Sequence, residues 1–187
     1  MATPPTFSIG QVLTAAQMNA VGLWKVGSAT ATSGTTLDIA NCFSSDFDAY
    51  RVVLSNVRFA AAGSFSFQLM NGTTPSASNY AWAVQQVAYD ASGGPSGSGY
   101  PSYVTNWRTI SDFSTSAGAF SCDIFNPFLA QYSYYSFNGT DSRAINGYGL
   151  RVGGGIHADA TSYSSLRFTT TASTITNVVA TVYGYRK

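Results

Sequence analysis

The scarcity of charged residues is the feature that most restricts how this chain can fold. Its 187 residues include no glutamate and only two lysines, Lys25 and Lys187, and charged residues make up 9% of the sequence, against about 25% in average globular proteins. Good formers of exposed helices are therefore almost missing. Serine, threonine, glycine, asparagine and aromatic residues take their place, and this mixture favours strands joined by turns. The sequence thus predicts an all-β protein.

Short segments of alternating polar and apolar residues recur along the chain, with turn signals between them. The segment 119–125 places Phe120, Cys122 and Ile124 on one face, which is the pattern of a half-buried strand and makes Cys122 a core position. Asn146-Gly147 is typical of a tight hairpin turn. About ten such strands at this spacing predict an antiparallel sandwich or barrel.

Residues 1–26 carry a different pattern, that of a short helix with little to stabilise it alone. Thr14 and Gln17 have the spacing of a capping box, with apolar residues at the positions of a hydrophobic staple, and Gly22 can end the helix in a left-handed conformation. A helix of about nine residues is marginal in water. We therefore expect an attachment segment that buries apolar side chains against a partner. These side chains are Phe7, Val12, Leu13, Met18, Leu23 and Trp24.

Composition and charge argue against several classes of partner. The net charge is +1 and the seven arginines are scattered, so nucleic-acid binding, which needs a basic cluster, is not expected. No apolar run approaches the ~20 residues that span a bilayer, and no basic segment precedes an apolar stretch as in a signal peptide. We expect no membrane insertion. Cys42 and Cys122 allow one disulfide by number, although two free, half-buried thiols are favoured.

Patterns for catalysis and metal binding are weak. His157 is the only histidine, with Asp159 close by, and a hydrolytic triad would need a serine that the sequence does not place. A carboxylate pair for glycoside hydrolysis would have to come from aspartates such as Asp46 and Asp48, which are better interpreted as turn caps. With Asp38 they could also offer oxygens to calcium. We expect no catalytic residue, no metal site and no cofactor.

The composition of residues 91–99, which are rich in glycine and serine, predicts a flexible loop. Aromatic residues follow this segment. Most tyrosine and tryptophan side chains in such a chain pack in the core or at subunit contacts. Rings on exposed loops can also stack on sugars and line binding surfaces. If a receptor or glycan site exists, we expect it at Tyr100, Tyr103 and Trp107.

Several segments resemble proteins of tailed bacteriophages. Residues 7–19, Phe-Ser-Ile-Gly-Gln-Val-Leu-Thr-Ala-Ala-Gln-Met-Asn, are similar to the N-terminal attachment segment of tail-fibre and minor tail proteins. The segments 47–54, 65–69 and 180–185 resemble strands of a phage jelly-roll domain. The resemblance implies a homotrimeric jelly roll that is made in the host cytoplasm, resides in the virion and is fixed to the particle by its N-terminus.

The combined prediction is an antiparallel jelly-roll-like sandwich over residues 27–187, preceded by the short helical attachment segment. The expected function is that of a short tail fibre or minor tail protein, which docks on other virion proteins and contacts a host surface glycan. Capsid decoration, as a head-fibre protein, is one alternative. A carbohydrate-binding, lectin-like module from a non-viral protein is another, and it would not explain the attachment segment.

Overall fold

In the computed structural model, residues 10, 12, 22–88, 96–143, 147–170 and 173–186 are described. Within these residues every helix or strand element is a β-strand, and all strand pairs are antiparallel. The strands are β1 (Leu23–Ala31), β2 (Thr36–Ile39), β3 (Phe47–Phe59), β4 (Gly63–Asn71), β5 (Thr74–Pro75), β6 (Tyr80–Ala88), β7 (Ser96–Val104), β8 (Trp107–Phe113), β9 (Gly118–Phe125), β10 (Ser133–Arg143), β11 (Gly147–His157), β12 (Ser165–Thr170) and β13 (Ile175–Arg186).

Eight of these strands are connected as a jelly roll. In the larger sheet β1, β13, β3 and β9 are neighbours, and in the smaller sheet β2, β12 and β4 are neighbours, with β8 paired to β4. The chain therefore changes sheet at each of the connections β1–β2, β3–β4, β8–β9 and β12–β13. This alternation between two antiparallel sheets is the jelly-roll arrangement. The predicted all-β, jelly-roll-like sandwich is confirmed.

The larger sheet extends well beyond the jelly-roll strands. Its order is β1-β13-β3-β9-β10-β11-β6-β7, which makes eight strands. β10 and β11 are inserted between β9 and β12, and β5 to β7 are inserted between β4 and β8. The smaller sheet has five strands. The outer side of the larger sheet is consequently the broadest sheet surface of the described residues.

Aromatic side chains fill the space between the sheets. Phe67 from the smaller sheet contacts the ring of Trp107, with a centroid distance of 5.1 Å, and the ring of Tyr135, also at 5.1 Å. Burying each such ring removes a large apolar area from water, worth about 2–3 kcal/mol per side chain. Cys42 and Cys122 are buried in the same core and are not bonded to each other. Both thiols are free, and the core position of Cys122 is confirmed. The expectation that the thiols are half-buried is wrong, because both lie between the sheets and are 1–2% exposed.

Three consecutive glycines, residues 153–155, allow β11 to lie close to its neighbours. A Cβ atom at Gly155 would meet the carbonyl oxygen of Ala81 on β6 and would lie 2.7 Å from Cε1 of Tyr135. Since real Cβ atoms do not approach other atoms that closely, this strand needs glycine there.

The sandwich begins at Leu23, inside the segment that the sequence assigned to attachment. Leu23 pairs with Tyr185, and the following residues of β1 continue along β13. The expected boundary at residue 27 therefore falls within a strand, because the pairing with β13 extends to residue 23. Gly22 has φ of +105°, in the left-handed region that favours glycine. The helix expected before it lies outside the described residues.

Candidate interaction surface

The outward side chains of the larger sheet form the candidate functional site, which we call the large-sheet face. Nine large apolar side chains are exposed among the described residues, and six of them lie on this face. They are Leu23, Phe125, Tyr134, Leu150, Val152 and Val179. An accumulation of exposed apolar side chains on one surface typically marks a site of interaction with another molecule.

Strand register arranges the central side chains of this face in rows that run across the sheet. Phe125, Tyr134 and Ile156 are cross-strand neighbours on β9, β10 and β11. The next row has small side chains on β10, β11 and β6, namely Ser136, Gly154 and Ala83. On β9 and β3 the same row carries Asp123 and Arg51. The side chains of a third row are larger again. It contains Asn138, Val152 and Gln85. Alternate residues of a strand point to opposite faces, so all three rows point away from the core.

Few charges lie on the large-sheet face, and two of them neutralise each other. Nε and Nη2 of Arg51 donate to the two carboxylate oxygens of Asp123 at 3.0 and 2.9 Å. The carboxylate also accepts a hydrogen bond of 2.7 Å from the hydroxyl of Tyr185. These bonds to Asp123 raise the pKa of the Arg51 guanidinium above its usual value. The other described charges on this face are Lys25 on the edge strand β1 and Arg58 near the end of β3.

The outward side of the smaller sheet, the small-sheet face, has a different character. None of the nine exposed apolar side chains lies on it. Arg167 and Asp38 form a bidentate ion pair there, with both distances at 2.6 Å. The side-chain amide of Gln68 donates to the carbonyl oxygens of Ser76 and Thr105 at 3.0 and 2.9 Å. This polar surface needs no partner to cover it, in contrast to the large-sheet face.

The residues predicted for attachment are only partly described. Val12 is 87% exposed, and Leu23 is 46% exposed on the large-sheet face. Trp24 lies half-buried on β1, and its indole nitrogen is buried without a hydrogen-bond partner among the described residues. The other predicted residues lie outside the described part of the chain. These are Phe7, Leu13, Thr14, Gln17 and Met18.

The aromatic residues predicted for ligand contact do not form one surface. Trp107 is fully buried, its indole N–H donates to the carbonyl oxygen of Ile156 at 3.0 Å, and its ring packs 4.7 Å from that of Tyr135. The prediction is wrong for Trp107, because this residue starts β8 with its side chain directed between the sheets. Tyr103 is 61% exposed on β7. Tyr100 also belongs to β7, and its side chain lies outside the described part.

The single histidine is packed inside the sandwich. Nε2 of His157 lies 3.1 Å from the hydroxyl oxygen of Ser76 and 3.1 Å from the carbonyl oxygen of Ser78. Nδ1 has no hydrogen-bond partner among the described residues. A catalytic triad needs a carboxylate on that nitrogen, whereas Asp159 accepts from the hydroxyl of Thr161 at 2.7 Å. Burial lowers the pKa of His157, and the neutral ring therefore fits its apolar surroundings.

The aspartates considered for metal binding bond to other side chains and do not form a cluster. Asp46 accepts from the Ser44 hydroxyl at 3.2 Å, and its own N–H donates to that hydroxyl oxygen at 3.3 Å, which is a local turn arrangement. Asp38 is paired with Arg167 on the small-sheet face. In the described part of the chain, no cluster of three or more histidine, cysteine, aspartate or glutamate side chains could hold a metal ion. No helix there has the length and apolar character needed to cross a membrane.

No family model, curated protein or solved structure matches this chain. The assignment of the large-sheet face as the candidate site therefore rests on strand register, exposure and charge.

Proposed function

We propose that this protein is a structural subunit of a tailed-phage virion, as a short trimeric tail fibre or minor tail protein. It docks on other virion proteins through its N-terminal segment and can contact a host surface glycan with its outer loops. In this proposal the protein catalyses no reaction and needs no cofactor. Its location is the virion, and it is made in the host cytoplasm.

The observation that carries the proposal is the broad, weakly charged large-sheet face on a jelly-roll sandwich. A surface with six exposed large apolar side chains and a self-neutralised ion pair suits permanent contact with protein, since interface cores are poor in charge and rich in aromatic residues. The resemblance of residues 7–19 to phage attachment segments supports the specific placement in a virion.

The position of β1 supports docking by the N-terminal segment. β1 pairs with β13 from Leu23 to Ala31, and β13 in turn pairs with β3. An attachment segment that continues into β1 is therefore joined to an edge strand of the larger sheet and not to a peripheral loop. A subunit held by this segment transmits force into the whole larger sheet.

Two other placements remain as second candidates. Capsid decoration, as a head-fibre protein, uses the same fold and differs only in where the subunit docks. A lectin-like module is favoured by one observation, the exposed tyrosine rings of Tyr103, Tyr132 and Tyr134, because such rings can stack on sugars.

Immunogold electron microscopy of purified particles of the encoding phage tests the proposal. We expect label at the tail, whereas label over the capsid would assign the protein to head decoration, and particles without label would overturn the virion assignment. A variant lacking residues 1–21, which keeps β1 intact, should fold and fail to incorporate. The control Thr36→Lys, at an exposed position of β2, should incorporate, because it leaves residues 1–21 unchanged.

A further inference from the structure

We infer that a second copy of this chain packs on the large-sheet face, over β13, β3, β9, β10 and β11. This inference rests on the proposed role as an assembly subunit and names the partner of that face. Its first support is the chemistry of the surface. Val152, Val179 and Leu150 are aliphatic, and aliphatic side chains gain from protein contact but offer no ring for a sugar to stack on.

Charge on the face also favours a copy of the same chain over a charged polymer. Arg51 and Asp123 compensate each other, and Lys25 and Arg58 lie towards its border, on an edge strand and near a strand end. Nucleic acids and anionic polysaccharides need a continuous basic surface, which these positions do not provide. Two copies of a nearly uncharged surface meet without repulsion between like charges.

Rows of large and small side chains allow two copies of the face to fit together. The row of Phe125, Tyr134 and Ile156 forms a ridge. Ser136 and Gly154 in the neighbouring row form a groove beside it, which is bordered by the Arg51–Asp123 pair. Ridge and groove belong to the same surface, so the ridge of one copy can enter the groove of another. Facing sheets pack about 10 Å apart when their side chains interdigitate in this way.

The size of the face approaches that of a stable protein interface. Five strands spaced by about 4.8 Å, with outward residues every ~6.8 Å along each strand, cover about 24 by 27 Å, or roughly 650 Å². Specific interfaces bury about 800 Å² per partner. The large-sheet face thus provides most of the area that stable self-association requires.

Light scattering coupled to gel filtration, over about 1–100 μM protein, tests the inference. We expect the intact chain to form an oligomer and Val152→Lys to raise its dissociation constant about 30-fold or more, as for a buried interface contact. The control is Thr36→Lys, an exposed outward position on the small-sheet face, and it should assemble like the unchanged chain. A chain that is monomeric at the highest concentration, or equal assembly of Val152→Lys, would overturn the inference.

A cross-linking experiment keeps the inference testable if Val152→Lys fails to fold. Cys42 and Cys122 are buried, so Ser136→Cys supplies the one accessible thiol in the described part. A bismaleimide should join two copies of Ser136→Cys but not of Thr36→Cys, and equal yields from both would count against the interface. If the protein forms oligomers but gives no label on virions, this inference stands and the proposed function fails. A monomer whose glycan binding is lost in Val152→Lys would assign the face to a sugar.

Discussion

Arg51 and Asp123 form a bidentate ion pair across β3 and β9, in the middle of the large-sheet face, with nitrogen–oxygen distances of 3.0 and 2.9 Å. The hydroxyl of Tyr185 donates to the same carboxylate, so one acidic side chain joins three neighbouring strands. The Asp123 side chain is 22% exposed, whereas Asp38 in the other bidentate pair is 40% exposed. The two pairs therefore allow a comparison of two bidentate ion pairs whose carboxylates differ in exposure.

Replacing Asp123 by asparagine should cost more stability than the same change at Asp38. Asp123→Asn leaves Arg51 without its counter-charge and weakens the acceptor of Tyr185, and we expect a loss of about 1 kcal/mol in the free energy of unfolding. Asp38→Asn should cost less than about 0.5 kcal/mol, because its carboxylate is more exposed and, in the described part of the chain, has no tyrosine hydroxyl bonded to it. Urea unfolding at pH 7 and low protein concentration measures both values. Equal losses in the free energy of unfolding would show that the hydrogen bond from Tyr185 on β13 adds nothing to stability.

Trp107→Phe should destabilise the sandwich although the substitution keeps an aromatic ring. The smaller ring leaves a cavity beside Tyr135 and removes the hydrogen bond to the carbonyl oxygen of Ile156. We expect a loss of about 2 kcal/mol by chemical unfolding. The control Tyr103→Ala, on an exposed ring, should stay within about 0.5 kcal/mol of the unchanged protein. Reversed magnitudes would contradict the burial of Trp107.

Acidification from pH 7.5 to pH 5 should lower the stability of the folded protein through His157. Desolvation beside the rings of Tyr80 and Tyr163 holds the folded-state pKa of His157 below 6.5. The unfolded chain therefore binds a proton first, and stability that is complete above pH 6.5 declines below it, by at most about 1.4 kcal/mol per pH unit. Urea unfolding across this range should show the decline, and His157→Gln should remove it. A flat or opposite pH dependence in the unchanged protein would refute this account.

Both thiols should resist alkylation as long as the protein is folded. Burial raises the pKa of the Cys42 thiol to about 12 and the pKa of the Cys122 thiol well above its usual value. The reactive thiolate is therefore almost absent at pH 8. Intact-mass spectrometry after iodoacetamide should show no adduct on the native protein and two adducts in guanidinium chloride. An adduct on the native protein would mean that one thiol is accessible.

The strands that could be predicted are those whose two faces differ in polarity. Residues 119–125 alternate cleanly, and β9 places Phe120, Cys122 and Ile124 in the core as expected. Residues 96–99, by contrast, are glycine and serine. This composition predicts a loop, yet the residues belong to β7. Their pairing with β6, such as Val84 with Ser98, is a non-local interaction that local composition does not record.

The candidate site was harder to predict than the fold, because several strands are apolar on both faces. In β13 the inward residues Val178 and Val182 alternate with Val179 and Tyr183, and alternation alone does not tell which set is buried. The smaller sheet decides this by covering one side. The misplacement of Trp107 has the same origin, since its neighbours in sequence are polar and only its partners across the sandwich bury it.

The order in which the strands of the jelly roll leave the ribosome constrains how a cell makes it. β12 lies between β2 and β4, and β13 lies between β1 and β3, although both strands come after residue 164. Until they leave the ribosome, the earlier strands have open edges and no partner across the core, and open edges invite aggregation. Pairing of β1 with β13 also closes the longest loop, which slows folding. Folding of the sandwich is thus tied to translation through β13, and a chain terminated before β13 would yield aggregate instead of a shorter working domain.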